Sequence, residues 1–316
     1  MQEIFVGIDV AKDAVVCATL PKQEQKIFPM TEEGLTEMTT HIHELTPRLV
    51  VLEATGGYEL PVVRALASAS LPVVVVNPRQ VRDFAKATGV LAKTDGIDAQ
   101  VIARFAEAVR PEVRPLRNEE AERLKALMVR RRQLTEMLTA EKSRLHTTPE
   151  WTKVDIRAHI AYLVESLKKL EREIGRLIKK SPLWRERDHL LTSVPGVGPV
   201  MSGTLLAELP ELGTISAKKV SALVGVAPLN RDSGRFRGKR SIWGGRASIR
   251  SVLYMATRVA IRHNPLIKAF YTRLKAQGKI EKVAVTACMR KLLVILNAMV
   301  KHGMPWDTST YGHLTS

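Results

Sequence analysis

The chain predicts an α/β layer of roughly 110 residues followed by a mostly helical remainder, and three observations carry that reading. Short apolar, β-branched runs alternate with helical patterns as far as residue 110 and then stop. Long segments with leucines at helical spacing take over from residue 117. Charge divides at the same place: residues 1 to 110 hold 11 Lys+Arg against 14 Asp+Glu, net -3, and residues 111 to 316 hold 38 against 18, net +20.

In order along the first part, "EIFVGIDVAKDAVVCATL" predicts two strands joined by a short turn at "AKD". "TEEGLTEMTTHIHEL" follows as a helix, then "RLVVLEAT" as a strand, "YELPVVRALASA" as a helix and "LPVVVVNP" as a strand. "RQVRDFAKAT" and "DGIDAQVIARFAEAV" close this part as helices. The continuous apolar runs suit strands covered on both faces, so the expected sheet is mixed and sandwiched by helices.

The proline-punctuated stretch "RPEVRPLRN" reads as a boundary, giving expected regions at 1–110, 111–181 and 182–316. The middle region predicts two long helices. The first carries Leu124, Leu127, Leu134, Leu138 and Leu145. The second places Ile156, Ile160, Leu163, Leu167, Leu170, Ile174 and Leu177 at alternating steps of four and three. That spacing is an a/d seam. A helical hairpin packing on itself would use it, and so would a coiled coil joining two chains, which is the expectation taken forward here.

Beyond Pro182, "LLTSVPGVGPVMSGTLLAEL" looks like a helix-hairpin-helix, in which Gly196 and Gly198 let the backbone turn and offer amides to a phosphate. Residues 225–247, rich in glycine and arginine, predict an exposed loop, and residues 248–301 an amphipathic helical tail.

A pI near 10.1 and the +20 concentrated after residue 110 point to phosphate-rich partners and a steeply salt-dependent grip. Aromatic residues make up only 5%, so contacts to the nucleic-acid backbone should outweigh base stacking on rings. Cys17 and Cys288 lie far apart in apolar surroundings, as buried thiols in a reducing compartment do. The charged start reads against a secretory signal, and no apolar stretch is expected to approach the ~18 residues a membrane span requires. A cytoplasmic protein is expected.

The chemistry-bearing candidates are carboxylates and one hydroxyl. Asp9 sits in an apolar strand, Glu53 ends another, and Asp95 and Asp98 lie three apart at a helix start, facing one way. Each has a structural explanation alone: a turn, an ion pair, an N-cap. Together they would form an oxygen-rich pocket for divalent cations, the arrangement that clamps both oxygens of a phosphodiester displacement. Ser233 lies in "LNRDSGRFRGKRS" among Arg231, Arg235, Arg237, Lys239 and Arg240. It is either a turn residue of a phosphate-gripping loop or a nucleophile. Ser241 is its main rival, whereas Ser248 looks like a helix N-cap.

The ordered set "VGIDVAKD", "LEATGGYE", "KTDGIDAQ", "VPGVGP" and "GVAPLNRDSG" resembles the DEDD insertion-sequence transposases of the "one hundred and ten" family, described as bridge-RNA-guided recombinases. The resemblance runs along almost the whole chain. It implies a RuvC-like (ribonuclease H-like) domain, coiled-coil helices and a C-terminal transposase domain. It also implies that Asp9, Glu53, Asp95 and Asp98 hold Mg2+ or Mn2+ and that Ser233 is the nucleophile. The implied partners are donor and target double-stranded DNA, an element-encoded bridge RNA, and further copies of the chain as homodimers assembling to tetramers, in a bacterial or archaeal cytoplasm near the nucleoid and away from membranes. A metal-dependent junction resolvase or nuclease using water, and a non-catalytic nucleic-acid scaffold, are the competing readings.

Overall fold

The computed structural model describes residues 3–90, 95–113, 119–229, 232–233, 236–238 and 240–311; the side chains of residues 95, 232, 233, 236, 237, 310 and 311 also lie outside this description. The chain divides into two compact units, Met1–Leu116 and Arg117–Ser316.

The first unit is built on five strands: β1 (Phe5–Val10), β2 (Ala14–Leu20), β3 (Gln25–Pro29), β4 (Leu49–Glu53) and β5 (Val73–Val76). Their order in the sheet is β3-β2-β1-β4-β5. β1, β2 and β3 form an antiparallel meander, and β4 and β5 add parallel to β1. The expected mixed sheet is therefore present. β3 has no counterpart in the sequence reading: as an edge strand it buries only Phe28 of its five residues, so it shows no apolar run.

Alternation along the strands divides the core between two faces. Val6, Ile8, Val50 and Leu52 pack with Met38 and Ile42 of α1 (Glu32–Glu44) and with Val62 and Leu66 of α2 (Glu59–Ser68). On the other face Phe5, Leu49 and Val51 meet Val81 of α3 (Pro78–Ala87) and Ala99, Ile102 and Ala103 of α4 (Asp95–Val109). Each fully buried side chain of this size contributes about 1.5–3 kcal/mol. Caps delimit the helices: Thr31 accepts from Gly34 N at 3.2 Å, and Asn77 from Arg79 N at 2.9 Å with Pro78 following.

The second unit opens with α5 (Glu119–Thr147) and α6 (Glu150–Lys180). These pack on each other as a hairpin, pinned by Arg123–Glu173 at 2.9 Å and Arg131–Glu171 at 2.7 Å. Leu163, Ile174 and Leu177 of the seam are buried, and Leu124 and Met128 of α5 share a core with Ile174 and Leu177. Toward its C-terminal end the seam expected to join two chains thus packs on α5 of the same chain, while Ile156, Ile160, Leu167 and Leu170 stay half-buried. The reason is that α5 carries a matching apolar stripe and only two residues separate the helices, so the intrachain partner is always at hand.

The rest of the unit comprises α7 (Pro182–Thr192), α8 (Pro199–Glu208), α9 (Ala217–Val224), four two-residue strands, α10 (Ala247–His263), α11 (Pro265–Ala276) and α12 (Glu281–His302). α12 is long and apolar enough, by length and composition, to cross a membrane, contrary to the reading that nothing in the sequence approaches that. Here it is a core helix, burying Val285, Leu292, Ile295, Leu296 and Met299 against its neighbours. Both cysteines are buried and free, and burial pushes each thiol up to about 12.

Candidate active site

Two of the four acidic residues come together because of strand register. The parallel ladder of β1 and β4 pairs Ile8 with Leu52, and the next residue on each strand is Asp9 and Glu53. They are cross-strand neighbours on strands about 4.8 Å apart. By alternation both project to the face of Phe5, Gly7, Leu49 and Val51, which is the face covered by α4. Both are half-buried.

Gly7 explains how closely α4 approaches. A Cβ on Gly7 would lie 2.8 Å from Ala103 Cα and nearer still to Ala103 N and Ala99 O. The helix backbone therefore rests directly on β1, which only glycine permits. Asp98 immediately precedes Ala99 on this helix and is half-buried. Asp95 is the first described residue of this helix, and its side chain lies outside the described residues. Among the described residues, no three of His, Cys, Asp and Glu stand close enough to hold an ion together. The donor chemistry, carboxylate oxygens alone, fits a hard divalent cation.

Glu59, one helix start away from Glu53, was not singled out by its sequence. Its Oε2 accepts from Thr55 N at 3.0 Å, Thr55 Oγ1 at 3.0 Å and Gly57 N at 2.7 Å. It thereby closes the turn that leads out of β4. Burial pushes its carboxyl up, but the bonds from its own amide, Gly57 and Thr55 outweigh that and hold it below the usual glutamate range. The signal available beforehand was only the diglycine in "EATGGYE", a turn needing a tie; Gly56 and Gly57 both have positive φ.

The stretch expected as an exposed loop, 225–247, carries two antiparallel ladders instead. β6 (Pro228–Leu229) pairs with β9 (Ser241–Ile242), and β7 (Asp232–Ser233) pairs with β8 (Phe236–Arg237). Ser233 pairs with Phe236 and is the last paired residue before positions 234–235. Alternation is weak over two-residue strands, which is why the ladder left no sequence pattern. Arg231, Arg235 and Lys239 lie outside the described residues, as does the side chain of Arg237, while Arg240 and Ser241 are exposed.

The ends of this arm are fastened by residues the sequence reading passed over. A Cβ on Gly225 would lie 3.0 Å from Gly244 C, and one on Gly245 would lie 2.6 Å from Gly225 Cα, so the two ends touch backbone to backbone. All three glycines have positive φ. Arg246 donates to both oxygens of Glu211 at 2.6 and 2.7 Å and to Glu208 O at 2.7 Å. Arg250 donates to Gly244 O at 2.5 Å. Ser248, expected to cap the helix, lies inside α10 and donates to Glu208 Oε2, because Arg246 occupies the cap position.

At the α7–α8 connection Gly196 has φ +103, and a Cβ there would lie 2.6 Å from Ala260 N of α10. Packing on α10 thus requires this glycine. Gly198 is the N-cap of α8, without a side-chain hydrogen bond at the cap and with open space beside it.

Comparison with known proteins adds the following. One transposase family model matches residues 6–148, and a second, described as the transposase IS116/IS110/IS902 family, matches residues 188–272. The chain is 28% identical over 317 aligned residues to the pilin gene-inverting proteins of Moraxella bovis and Moraxella lacunata, covering 97% of this chain and 98% of each relative. It is 30% identical to an uncharacterized 42 kDa protein of insertion element IS900 from Mycobacterium paratuberculosis, over 48% of this chain and 39% of that protein. Among solved structures, T. thermophilus RuvC in complex with a Holliday junction substrate aligns with 34% of this chain and 96% of its own at 16% identity, with a TM-score of 0.25.

Proposed function

The chain belongs to the IS116/IS110/IS902 transposases, DNA-rearranging enzymes, and from that premise we propose that it cuts and rejoins DNA strands by serine attack supported by a carboxylate-held metal. The observation that carries the reading is the placement of Asp9 and Glu53 side by side on parallel strands beneath the helix of Asp98. The β3-β2-β1-β4-β5 order, with its antiparallel meander and parallel β4 and β5, supports a RuvC-like, ribonuclease H-like first unit.

Asp9, Glu53, Asp95 and Asp98 would hold Mg2+ or Mn2+, both of which prefer oxygen donors. Such ions supply charge neutralisation at the phosphate and a lowered proton affinity on the attacking oxygen. In the proposed step the Ser233 oxygen forms a bond to phosphorus, one ester bond to a deoxyribose breaks, and the hydroxyl proton leaves as the departing oxygen gains one. The resulting phosphoserine conserves the energy of the broken ester for rejoining. Arg231, Arg235, Arg237, Lys239 and Arg240 would balance charge on the phosphate, and Gly196 and Gly198 of a helix-hairpin-helix would present backbone amides to DNA.

The partners proposed are donor and target duplexes, a bridge RNA and further copies of the chain, homodimers assembling to tetramers, so that the carboxylates of one copy meet Ser233 of another. A bacterial cytoplasm suits two buried free thiols. The name of the Moraxella relatives favours inversion as one outcome of the same chemistry.

The test is covalent trapping on a nicked substrate with the co-purified RNA. A protein–DNA adduct should form with the native chain and Ser241→Ala, and vanish in Ser233→Ala and Asp9→Asn. Cut ends without any adduct, surviving Ser233→Ala, would assign the site to a water-using nuclease.

A further inference from the structure

A cavity of about 730 Å³ opens where the α5–α6 hairpin meets α7 and α8, within the second unit and apart from the arm of Ser233. Its floor is apolar, with Met128, Ile174, Ile178, Pro199 and Val200. Its rim is cationic: Lys168, Arg172 and Lys179 stand there, and among the described residues Arg172 alone of the three makes an ion pair, a solvent-exposed one with Glu165 at 3.4 Å. An apolar floor beside exposed cations matches a ligand with a flat heterocycle and a phosphate.

Three details sharpen the match. Gly175 sits in the middle of α6, where glycine costs about 1 kcal/mol relative to alanine, and a Cβ there would meet nothing within 4 Å. The helix gives up that stability and the cavity stays open. Arg131 is held by Glu171 through bonds of 2.7 and 2.9 Å, which fixes its guanidinium plane at the wall. A fixed guanidinium stacks on a base as a ring does, which suits a chain with only 5% aromatic residues. Asp188 is oriented by Ser202, which donates to its Oδ1 at 2.5 Å. With Glu171 it offers carboxylate acceptors, and carboxylates select bases bearing an amino group, cytosine above all.

We infer that this cavity receives one unpaired nucleotide of a nucleic-acid strand, its base between Arg131 and the apolar floor and its phosphate on Lys168, Arg172 and Lys179. Cytosine is preferred over thymine or uracil, which turn a carbonyl toward the carboxylates. The inference rests on nucleic-acid binding by the second unit and not on the chemistry of Ser233. A failed adduct assay leaves it standing, and a failed binding assay here leaves the adduct reading untouched.

The test is fluorescence anisotropy at fixed salt with the full chain. The probes are labelled duplexes carrying a single bulged cytosine, a bulged thymine, a bulged abasic site or no bulge, in DNA and in RNA so that the source of the nucleotide is distinguished. The bulged cytosine should bind about tenfold more tightly than the abasic bulge and several-fold more tightly than thymine. Gly175→Leu extends a side chain into the cavity from the helical face that also carries Arg172 and Lys179, keeps every rim charge, and should erase that preference while leaving affinity for the unbulged duplex unchanged. Lys179→Gln, a surface change, should weaken the bulged probe more than the paired one. The inference is overturned if the native chain does not distinguish base from abasic site, if Gly175→Leu keeps the preference or lowers all affinities equally, or if free cytidine monophosphate binds more tightly than the bulged strand.

Discussion

Replacing Gly7 by alanine tests how the candidate site is assembled. The new Cβ would lie 2.8 Å from Ala103 Cα, against an ordinary contact of 3.4–4 Å, and closer still to two further backbone atoms of α4. The obstruction is helix backbone, so no side chain can swing away, and α4 must move about 1 Å off the sheet. That loosens Ala99, Ile102, Ala103 and Phe105, all buried beneath it. Overpacking costs about 1–3 kcal/mol, and a backbone clash belongs at the upper end. With a urea m-value of about 1.5 kcal/mol/M, a loss of 3 kcal/mol lowers the midpoint of the first unit's transition by about 2 M. Since α4 also carries Asp98, a displacement of about 1 Å should reduce strand cleavage by roughly a hundredfold even under conditions where the variant is folded. Both quantities are read on one preparation, by urea unfolding and by cleavage of a labelled substrate. An unchanged midpoint with full cleavage would refute the flush seating of α4 on β1 and with it the gathering of the carboxylates.

Arg246→Ala should destabilise the second unit by about 2 kcal/mol, because it removes both charge-assisted bonds to the partly buried Glu211 carboxylate and the bond to Glu208 O, and Arg246→Lys should restore only part, since one ammonium cannot reproduce the two-pronged contact; urea unfolding of the three forms decides. Lys291 is buried over the Phe270 ring at 4.4 Å, and burial, with Arg273 adding to it, lowers its ammonium to about 8. Its folded value lies below the unfolded one, so the penalty for the charged form is full below pH 8 and fades between pH 8 and 10.5 as the folded state sheds its proton first. Lys291→Met should therefore gain about 2 kcal/mol at pH 7 and little above pH 10, measured as the difference in unfolding midpoint at each pH. Glu59 has the opposite sign of linkage: its depressed folded value stabilises above the normal glutamate range and that contribution is lost as pH falls through it. Glu59→Gln should cost about 1 kcal/mol at pH 7, with the gap to the native chain closing as the pH falls below the normal glutamate range in the same assay.

Local pattern made much of this molecule legible. Short continuous apolar, β-branched runs located β1, β2, β4 and β5, helical periodicity located the helices, and Asp9 and Glu53 stood out as carboxylates in apolar strands whose meaning came from the set and not from either alone. These signals are short-range, set by which residues a single strand or helix turns to one side. What pairs with what is a long-range choice that no window of the sequence contains. Only the folded chain set Asp9 level with Glu53, since that depends on β4 adding parallel to β1 in one register. It likewise packed Ile174 and Leu177 of the seam on Leu124 and Met128 of α5, made an edge strand of the polar "QKIFP", and turned an arginine-rich loop into a short ladder clamped by Arg246 and Glu211. Contacts between residues far apart in sequence, such as Gly7 with Ala103 or Gly225 with Gly244, arise from three-dimensional packing, and at those points tertiary structure alone decided where the functional groups stand.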